Sequence, residues 1–123
     1  SKMKIEFDEE KKQILISTPG GNSILLNEAD KEIIIEDENN NQIKTSASVL
    51  ELTSSKDIKI SAGGNLELSA KSKLSITSTA DVNIKGLNIA QAADAKFSAK
   101  ATANLELNSS GVAVLKGSII QIN

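Results

Sequence analysis

The carboxylates are the chain's main candidates for chemistry, because its 123 residues include no histidine and no cysteine. Without these two residue types the chain lacks the commonest general base and any thiolate, so acid–base work would fall to Asp and Glu. A paired-carboxylate glycosidase site could be sought among Asp30, Glu32 and Asp37. Nothing in the sequence indicates a cleft, an aromatic sugar platform or a neighbour that would raise one carboxyl pKa. We therefore predict no catalytic residue and no enzymatic activity.

Two acidic runs and one glycine-rich stretch are the other patterns that could bind a ligand. Residues 8–10 and 36–38 lack the alternating ligand spacing and the glycine of a calcium loop, which favours solvated loops. Residues 19–22 lack the full glycine spacing and the Lys-Ser/Thr pair of a phosphate-cradling loop, so we predict a turn there. No metal and no cofactor is expected.

Small residues recur at every eighth position in the middle of the chain, and two apolar residues precede each of them. The two-residue spacing within each apolar pair is typical of a strand with one buried face, and an eight-residue repeat fits neither helical period. Each octad therefore predicts a short strand followed by a corner, where a small residue permits a sharp bend. The small residues are Ser54, Ala62, Ala70, Ser78 and Gly86.

Each predicted strand offers two core residues, because side chains alternate between the faces of a strand. One chain winding around a triangular axis, with three octads per coil, would enclose a narrow core, and that possibility stays open. Three parallel chains around a common axis would leave no lateral strand edge unpaired, which favours a homotrimer. The predicted trimer core is Leu50, Leu52, Ile58, Ile60, Leu66, Leu68, Leu74, Ile76, Val82, Ile84, Phe97, Leu105, Leu107 and Leu115.

The first 47 residues follow a different pattern, in which short apolar stretches are separated by turn residues. The predicted strands are residues 4–7, 13–17, 23–26, 33–36 and 42–44. The predicted fold class is thus all-β: an N-terminal antiparallel β-meander over residues 1–47, then an intertwined triple-stranded β-helix over residues 48–123. The apolar triplets at 24–26 and 33–35 would be exposed in a lone meander, so symmetry mates or a domain outside this chain are expected to cover them.

The octad register weakens after residue 88. The distance from Gly86 to Ala101 is one residue short of two octads, which predicts a one-residue slip around residues 89–94. From residue 111 onward the apolar residues fit two registers, and the choice between them stays open. The chain ends on an apolar stretch that is either the last core layer or a platform for a partner. Its residues are Ile119, Ile120, Ile122 and Asn123.

Charge and hydropathy limit the partners and the location. The formal net charge is -2 and the lysines are spread along the chain, which argues against nucleic acid as a partner. No apolar run approaches the length needed to span a bilayer, and residues 1–4 show no signal-peptide pattern. We expect synthesis in the cytoplasm and export by a route that needs no signal peptide.

Two stretches resemble the spike proteins of contractile injection machines, a family that includes the VgrG proteins of type VI secretion and the central spikes of tail-like particles and contractile phage tails. Residues 17–26, together with 32–37 and 41–43, resemble the neck that follows the oligonucleotide/oligosaccharide-binding-like barrel in that family. Residues 114–123 resemble the end of a VgrG-type β-helix, and the octads between resemble its intertwined shaft.

The resemblance implies a structural, membrane-piercing spike. It implies a homotrimer that meets baseplate and tube proteins through upstream domains outside this chain, contacts a target membrane transiently, and is delivered in an injection particle outside the cell or into a target cell. It also implies a PAAR-type tip protein docked on Ile119, Ile120, Ile122 and Asn123. Some phage spikes carry a histidine-lined metal near the tip, and a chain without histidine is not expected to hold one.

Two other functions are compatible with a solenoid sequence. One is a single-chain β-solenoid that polymerises end to end into a filament through its exposed apolar ends. The other is a polysaccharide-cleaving single-chain β-helix, which would require an acidic cleft of three or four carboxylates. The mass in solution distinguishes the filament from a closed trimer, because only the filament grows with concentration.

Overall fold

A computed structural model describes residues 2–123. The described chain is all-β without a helix, and its strands are β1 (Lys4–Asp8), β2 (Gln13–Ser17), β3 (Ser23–Asn27), β4 (Glu32–Glu36), β5 (Gln42–Thr45) and β6 (Leu50–Thr53). The six strands form one open antiparallel sheet in chain order. The predicted antiparallel meander is therefore confirmed. No helix in the described part of the chain has the length and hydropathy needed to cross a bilayer.

β6 extends the sheet beyond the end of the predicted meander. The sequence pattern placed Leu50 and Leu52 in the first rung of the β-helix, whereas in the structure they lie opposite Thr45 and Ile43 of β5. A tight reversal precedes β6, in which the backbone N–H of Ser46 donates to the carbonyl oxygen of Val49 at 2.9 Å. Because that reversal returns the chain beside β5, the first apolar pair of the octad series belongs to the meander sheet.

Side-chain caps and left-handed residues set the turns between the strands. Gly21 has φ 99° and Asn40 has φ 63°, both at turns that the sequence predicted. The Oδ1 of Asp37 accepts hydrogen bonds from the backbone N–H groups of Asn39 (2.8 Å) and Asn41 (3.0 Å). Its Oδ2 accepts a third from Nδ2 of Asn41 at 2.8 Å. These bonds close the β4–β5 turn locally.

Bends recur at regular intervals after β6. The chain divides into two compact units, of which the first ends at Ser72 and the second is Lys73–Asn123. In the first unit the bends lie at residues 55–56, 63–64 and 71–72; in the second they lie at residues 79–80, 87, 94–95, 102–103, 110–111 and 118. Each bend directly follows a Ser, Ala or Gly, as the octad pattern predicted for its corners. The predicted boundary between neck and shaft at residue 47 stays a prediction.

Two of these bends are one residue long, and each follows a glycine, Gly86 or Gly117. A Cβ added at Gly86 would lie 3.2 Å from the carbonyl oxygen of Asn88, and one added at Gly117 would lie 3.1 Å from that of Ile119. At both corners a Cβ would lie closer to backbone than most Cβ contacts do, so the backbone would have to shift to admit a side chain. The one-residue slip therefore falls at the Gly86 corner, just before the predicted segment 89–94, and a second short corner follows at Gly117.

Candidate functional site

One face of the sheet is apolar almost throughout. The strand register places Ile16 opposite Ile24 and Ile24 opposite Ile35. The same row continues through Ile43 to Leu52. Thr45 is the one polar residue among the strand positions on this side. We call this surface the apolar face; its residues are Ile5, Phe7, Ile14, Ile16, Ile24, Leu26, Ile33, Ile35, Ile43, Leu50 and Leu52.

The apolar face is more exposed to solvent than the polar face behind it. The exposed fraction reaches 73% at Phe7 and is still 37% at Ile24, whereas Ile14 is half-buried. On the polar face most side chains of β2 to β4 are half-buried, and Asn27 is the most enclosed, at 6% exposed. No apolar side chain among residues 2–123 is buried. A contiguous apolar surface of this kind marks an interaction site, and it is the candidate functional site of this unit.

The middle residues of the apolar triplets 14–16, 24–26 and 33–35 lie on the polar face. Leu15, Leu25 and Ile34 lie directly opposite one another across β2, β3 and β4, and all three are half-buried. Each triplet therefore gives two residues to the apolar face and one to this short stripe. The sequence predicted that the triplets 24–26 and 33–35 must be covered by another surface. That prediction applies only to the two outer residues of each triplet, because the sheet leaves them exposed on the apolar face.

An ion pair lies beside the stripe on the polar face. Nζ of Lys44 lies 2.8 Å from Oε1 of Glu32, and both side chains are partly exposed. The hydrogen bond that Nζ of Lys44 donates to Glu32, and then the negative charge of Glu32, raise the pKa of Lys44. Glu51 lies opposite Lys44 in the register and adds a smaller attraction. Lys44 thus lies between two carboxylates, Glu51 directly opposite it on β6 and Glu32 diagonally across from it on β4, where Ile34 is its direct partner.

The structure does not bring the three candidate acid–base carboxylates together. Asp30 accepts a hydrogen bond from Nδ2 of Asn27 at 2.7 Å. Glu32 binds Lys44, and Asp37 caps the β4–β5 turn. The side-chain hydrogen bond from Asn41 is the main cause of the lowered pKa of Asp37. Each carboxylate thus has its own local partner, an arrangement that stabilises turns and strands.

The first acidic run has a similar role. The backbone N–H of Lys11 donates to Oδ1 of Asp8 at 2.9 Å, and this bond is the main cause of the lowered pKa of Asp8. The next residue, Lys12, adopts a left-handed conformation with φ 52°. Within residues 2–123 no cluster of three or more metal-binding side chains occurs.

Two open depressions lie on the apolar face. The larger has a volume of about 670 Å³ and extends from β2 across the sheet to residues just after β6. The smaller, of about 510 Å³, surrounds Phe7, Ile14 and Leu26. The lining of the larger depression includes Ile16, Ile24, Ile35, Ile43, Leu52, Ile58, Asp37, Asn41, Asp57 and Lys59. An apolar surface depression with charged and amide groups at its margin is suited to binding a protein segment that is itself mostly apolar.

The predicted core residues after β6 are all exposed, and their exposure alternates. The first residue of each apolar pair is 48–63% exposed and the second is 64–89% exposed. The first positions are Ile58, Leu66, Leu74, Val82, Ile89, Phe97, Leu105 and Ile120. The second positions are Ile60, Leu68, Ile76, Ile84, Leu107, Leu115 and Ile122. The alternation is a property of each octad by itself, because it holds in both compact units; the strands predicted for these octads do not form in residues 54–123.

This exposure pattern assigns the register that the sequence left open. Ile89 falls in the first class, although it was missing from the predicted core, and the short Gly86 corner explains why simple octad counting overlooked it. Ile120 and Ile122 continue the series after the Gly117 corner. Val112 and Val114 do not fit it.

The four predicted docking residues do not form one uniform set. Ile120 and Ile122 belong to the rung pattern, whereas Ile119 lies in the short corner before them and is 86% exposed. Asn123 is exposed as well. The terminal segment thus combines a rung-like apolar pair with one additional apolar side chain outside that pattern.

The sequence reasoning missed the apolar face of the meander as a candidate site. The signal that could have found it is the two-residue alternation within each short strand, read across all strands in one register. A scan of protein-family models gives no match to this chain, and a search of curated proteins finds no similar sequence.

Proposed function

We propose that this chain is the neck and shaft of a trimeric, membrane-piercing spike of a contractile injection system. Three copies wind around a common axis as an intertwined β-helix, with their apolar faces and apolar rung pairs turned inward. The activity is mechanical: axial force applied at the neck is carried to the tip through a stiff bundle of parallel strands. The resemblance of residues 17–26 and 114–123 to such spikes supports this function.

The observation that carries the proposal is the absence of a buried apolar side chain from residues 2–123, although 39% of the chain is hydrophobic. Burying one Leu or Ile side chain contributes about 1.5–3 kcal/mol. A single copy of this chain obtains only part of that stabilisation, because none of its apolar side chains is fully removed from solvent. Two further copies supply the missing surface without adding another kind of chain.

The spacing of the bends supports a rod. Each octad is followed by a bend after a small residue, and a chain of short rungs that turn around an axis would need such a bend after every rung. Three interleaved chains would each advance about 4.7 Å per rung, which gives a shaft on the order of 40 Å long. Closure by threefold symmetry leaves no lateral edge from which the shaft could unravel.

The C-terminal end is the proposed seat of a PAAR-type tip protein. In three copies, Ile119, Ile120 and Ile122 would form an apolar platform bordered by Asn123, and such a surface favours a partner of matching shape. Baseplate and tube proteins would be met through domains outside this chain. The spike would be assembled in the cytoplasm and leave the cell in the particle, where it meets a target membrane.

Multi-angle light scattering of the purified chain over a range of concentrations tests the proposal. We expect three times the chain mass at every concentration. A mass that grows with concentration would indicate an end-to-end filament, and a folded monomer would contradict the proposal. A trimer band that survives in an unheated detergent gel is the second expected result, because unfolding of a closed trimer is slow.

A further inference from the structure

We propose that the second compact unit carries a binding surface for the anionic headgroups of a lipid bilayer, formed by a column of lysines and one exposed leucine. The inference rests on the proposed function, in which the shaft enters a membrane, and adds the surface and the lipid chemistry of that contact. The surface consists of Lys85, Lys100 and Lys116, which we call the lysine column, together with Leu87. Its partner is a bilayer with a negatively charged surface.

The two compact units differ in the sign of their net charge. Residues 1–72 contain nine lysines and thirteen acidic residues, a net charge of -4. Residues 73–123 contain five lysines and three acidic residues, a net charge of +2. The near-neutral chain therefore includes a basic second unit, and three copies would triple its charge. An anionic surface would attract the second unit and repel the first.

The basic charge of the second unit is concentrated at one position of the octad. Three of its five lysines directly precede a small corner residue, whereas none of its three carboxylates does. This position also directly follows the second apolar position of the rung, so in an extended backbone it faces away from the apolar pair. The lysine column would therefore lie on the outside of the shaft. The residues at this position are Thr77, Lys85, Ala92, Lys100, Asn108 and Lys116.

The lysines of the column are exposed, and within residues 2–123 none of them lies in an ion pair. The ion pairs of the described chain use Lys4, Lys11 and Lys44, all in the meander or its first turn. The column therefore offers its charge to an external anion. All 14 basic residues of the chain are lysines. An ammonium is a compact point charge on a flexible stem, which is suited to a fluid array of phosphates.

Leu87 adds an apolar contact beside the column. It forms the one-residue bend after Gly86 and is 100% exposed, the highest fraction among the large apolar side chains of residues 2–123. It does not belong to the rung pairs, so their inward packing would not cover it. An aliphatic side chain two residues from Lys85 can enter the interfacial region while the ammonium stays among the headgroups. An apolar and a cationic contact at one place fit a lipid surface.

Nucleic acid is the other polyanion that a basic surface could bind. Proteins that bind single strands stack the bases on aromatic side chains, and arginine is the commonest reader of bases in a duplex. The chain has no arginine, and Phe97, the only aromatic residue of the second unit, belongs to the rung series. The observations therefore favour a lipid surface.

Co-sedimentation of the purified full chain with lipid vesicles tests the lysine column. The anionic vesicles contain equal parts of phosphatidylglycerol and phosphatidylcholine, and vesicles of phosphatidylcholine alone are the neutral reference. The test variant changes all three lysines of the column to glutamine, and the matched control makes the same change at Lys56, Lys59 and Lys71 in the first unit. We expect the test variant to lose about tenfold or more in affinity for the anionic vesicles and the control to lose about threefold at most.

A second arm tests the apolar contact at high salt. In about 1 M salt the screening length falls to about 3 Å, so the attraction of the lysines is largely removed. Leu87→Ser should then abolish most of the binding that remains. Met3→Ser is the control, because Met3 is 81% exposed but lies in the first unit. An equal loss in both variants would exclude Leu87 as a specific contact.

Light scattering of the same samples separates this inference from the proposed function. A particle of three times the chain mass that does not bind the anionic vesicles overturns the inference and leaves the spike standing. A monomer whose vesicle binding depends on the column contradicts the trimer and supports the lipid surface. Equal losses in the two lysine variants, or equal binding to neutral vesicles, overturn the inference. Tighter binding to a short DNA duplex than to the vesicles would also overturn it, with nucleic acid as the partner.

Discussion

Replacing Gly86 with Ala tests the short corner, because the new methyl group would meet backbone. Its Cβ would lie 3.2 Å from the carbonyl oxygen of Asn88, closer than an ordinary van der Waals contact. A carbonyl within a tight bend cannot move aside as the end of a flexible side chain can. Gly111 is the matched control, since it lies at a two-residue bend of the same compact unit, has no positive φ and has nothing within 4 Å of an added Cβ.

The two substitutions should change the free energy of unfolding in opposite directions. Forcing a methyl group into the Gly86 corner should cost about 1–3 kcal/mol per chain, the usual range for overpacking. Gly111→Ala removes backbone freedom from the unfolded chain and should stabilise by about 0.4–1 kcal/mol. A homotrimer contains each substitution three times in one cooperative unit, so the two variants should differ strongly in stability.

Guanidinium denaturation followed by far-ultraviolet circular dichroism measures both variants at equal concentration. We expect a lower midpoint for Gly86→Ala and an equal or higher midpoint for Gly111→Ala. Inserting one residue after Leu87 should reduce the destabilisation caused by Gly86→Ala, since the longer corner restores the ordinary eight-residue repeat. Equal midpoints for the two single variants would refute the assignment of a short corner at Gly86.

Three further predictions address the face, the turn and the tip. Ile24→Lys on the apolar face should reduce the mass measured by light scattering from that of a trimer to that of a monomer. Ser23→Lys is the control and should remain a trimer, because Ser23 lies on the opposite face beside Glu36. A trimer in both variants would contradict an inward apolar face. Because the pKa of Asp37 is lowered on folding, its stabilising contribution is present above its ordinary value of 3.8 and is lost as the pH falls through the folded-state pKa. The melting temperature of Asp37→Asn should therefore lie below that of the unmodified chain at pH 6 and approach it as the pH is lowered below 3.8, and a constant difference would exclude this cap. Removing residues 119–123 should abolish binding of a PAAR-type tip protein in a pull-down and preserve the trimer mass, whereas loss of the trimer would identify the segment as a core layer.

Local patterns predicted most of the meander. Residues 13–17 were predicted as a strand and form β2 (Gln13–Ser17), and the turns around Gly21 and Asn40 adopt the left-handed conformations that their residue types favour. Alternation of side chains and the φ preferences of glycine and asparagine are set by covalent geometry, so a few neighbouring residues suffice to indicate them. The small residue before each bend is predictable for the same reason.

The candidate site was less predictable, since it depends on residues far apart in the chain. Leu50 and Leu52 have the same local pattern as every later rung, and only their pairing with β5 places them in the sheet. The exposed apolar face emerges only when the strands are aligned in one register, because each strand alone contributes one or two apolar residues to it. The short corner at Gly86 depends on a close backbone approach that residue spacing alone placed a few positions too late.

The amino-acid sequence by itself determined the all-β character, the strand and turn positions of the meander and the eight-residue period, because these follow from steric preferences within a few residues. The tertiary structure decided that β6 is the last strand of the open meander sheet, that the apolar side of that sheet lies in solvent, and that the shortened corners fall at two glycines. Those features depend on which backbone segments meet in space, and strand pairing and burial are long-range properties that no local pattern encodes.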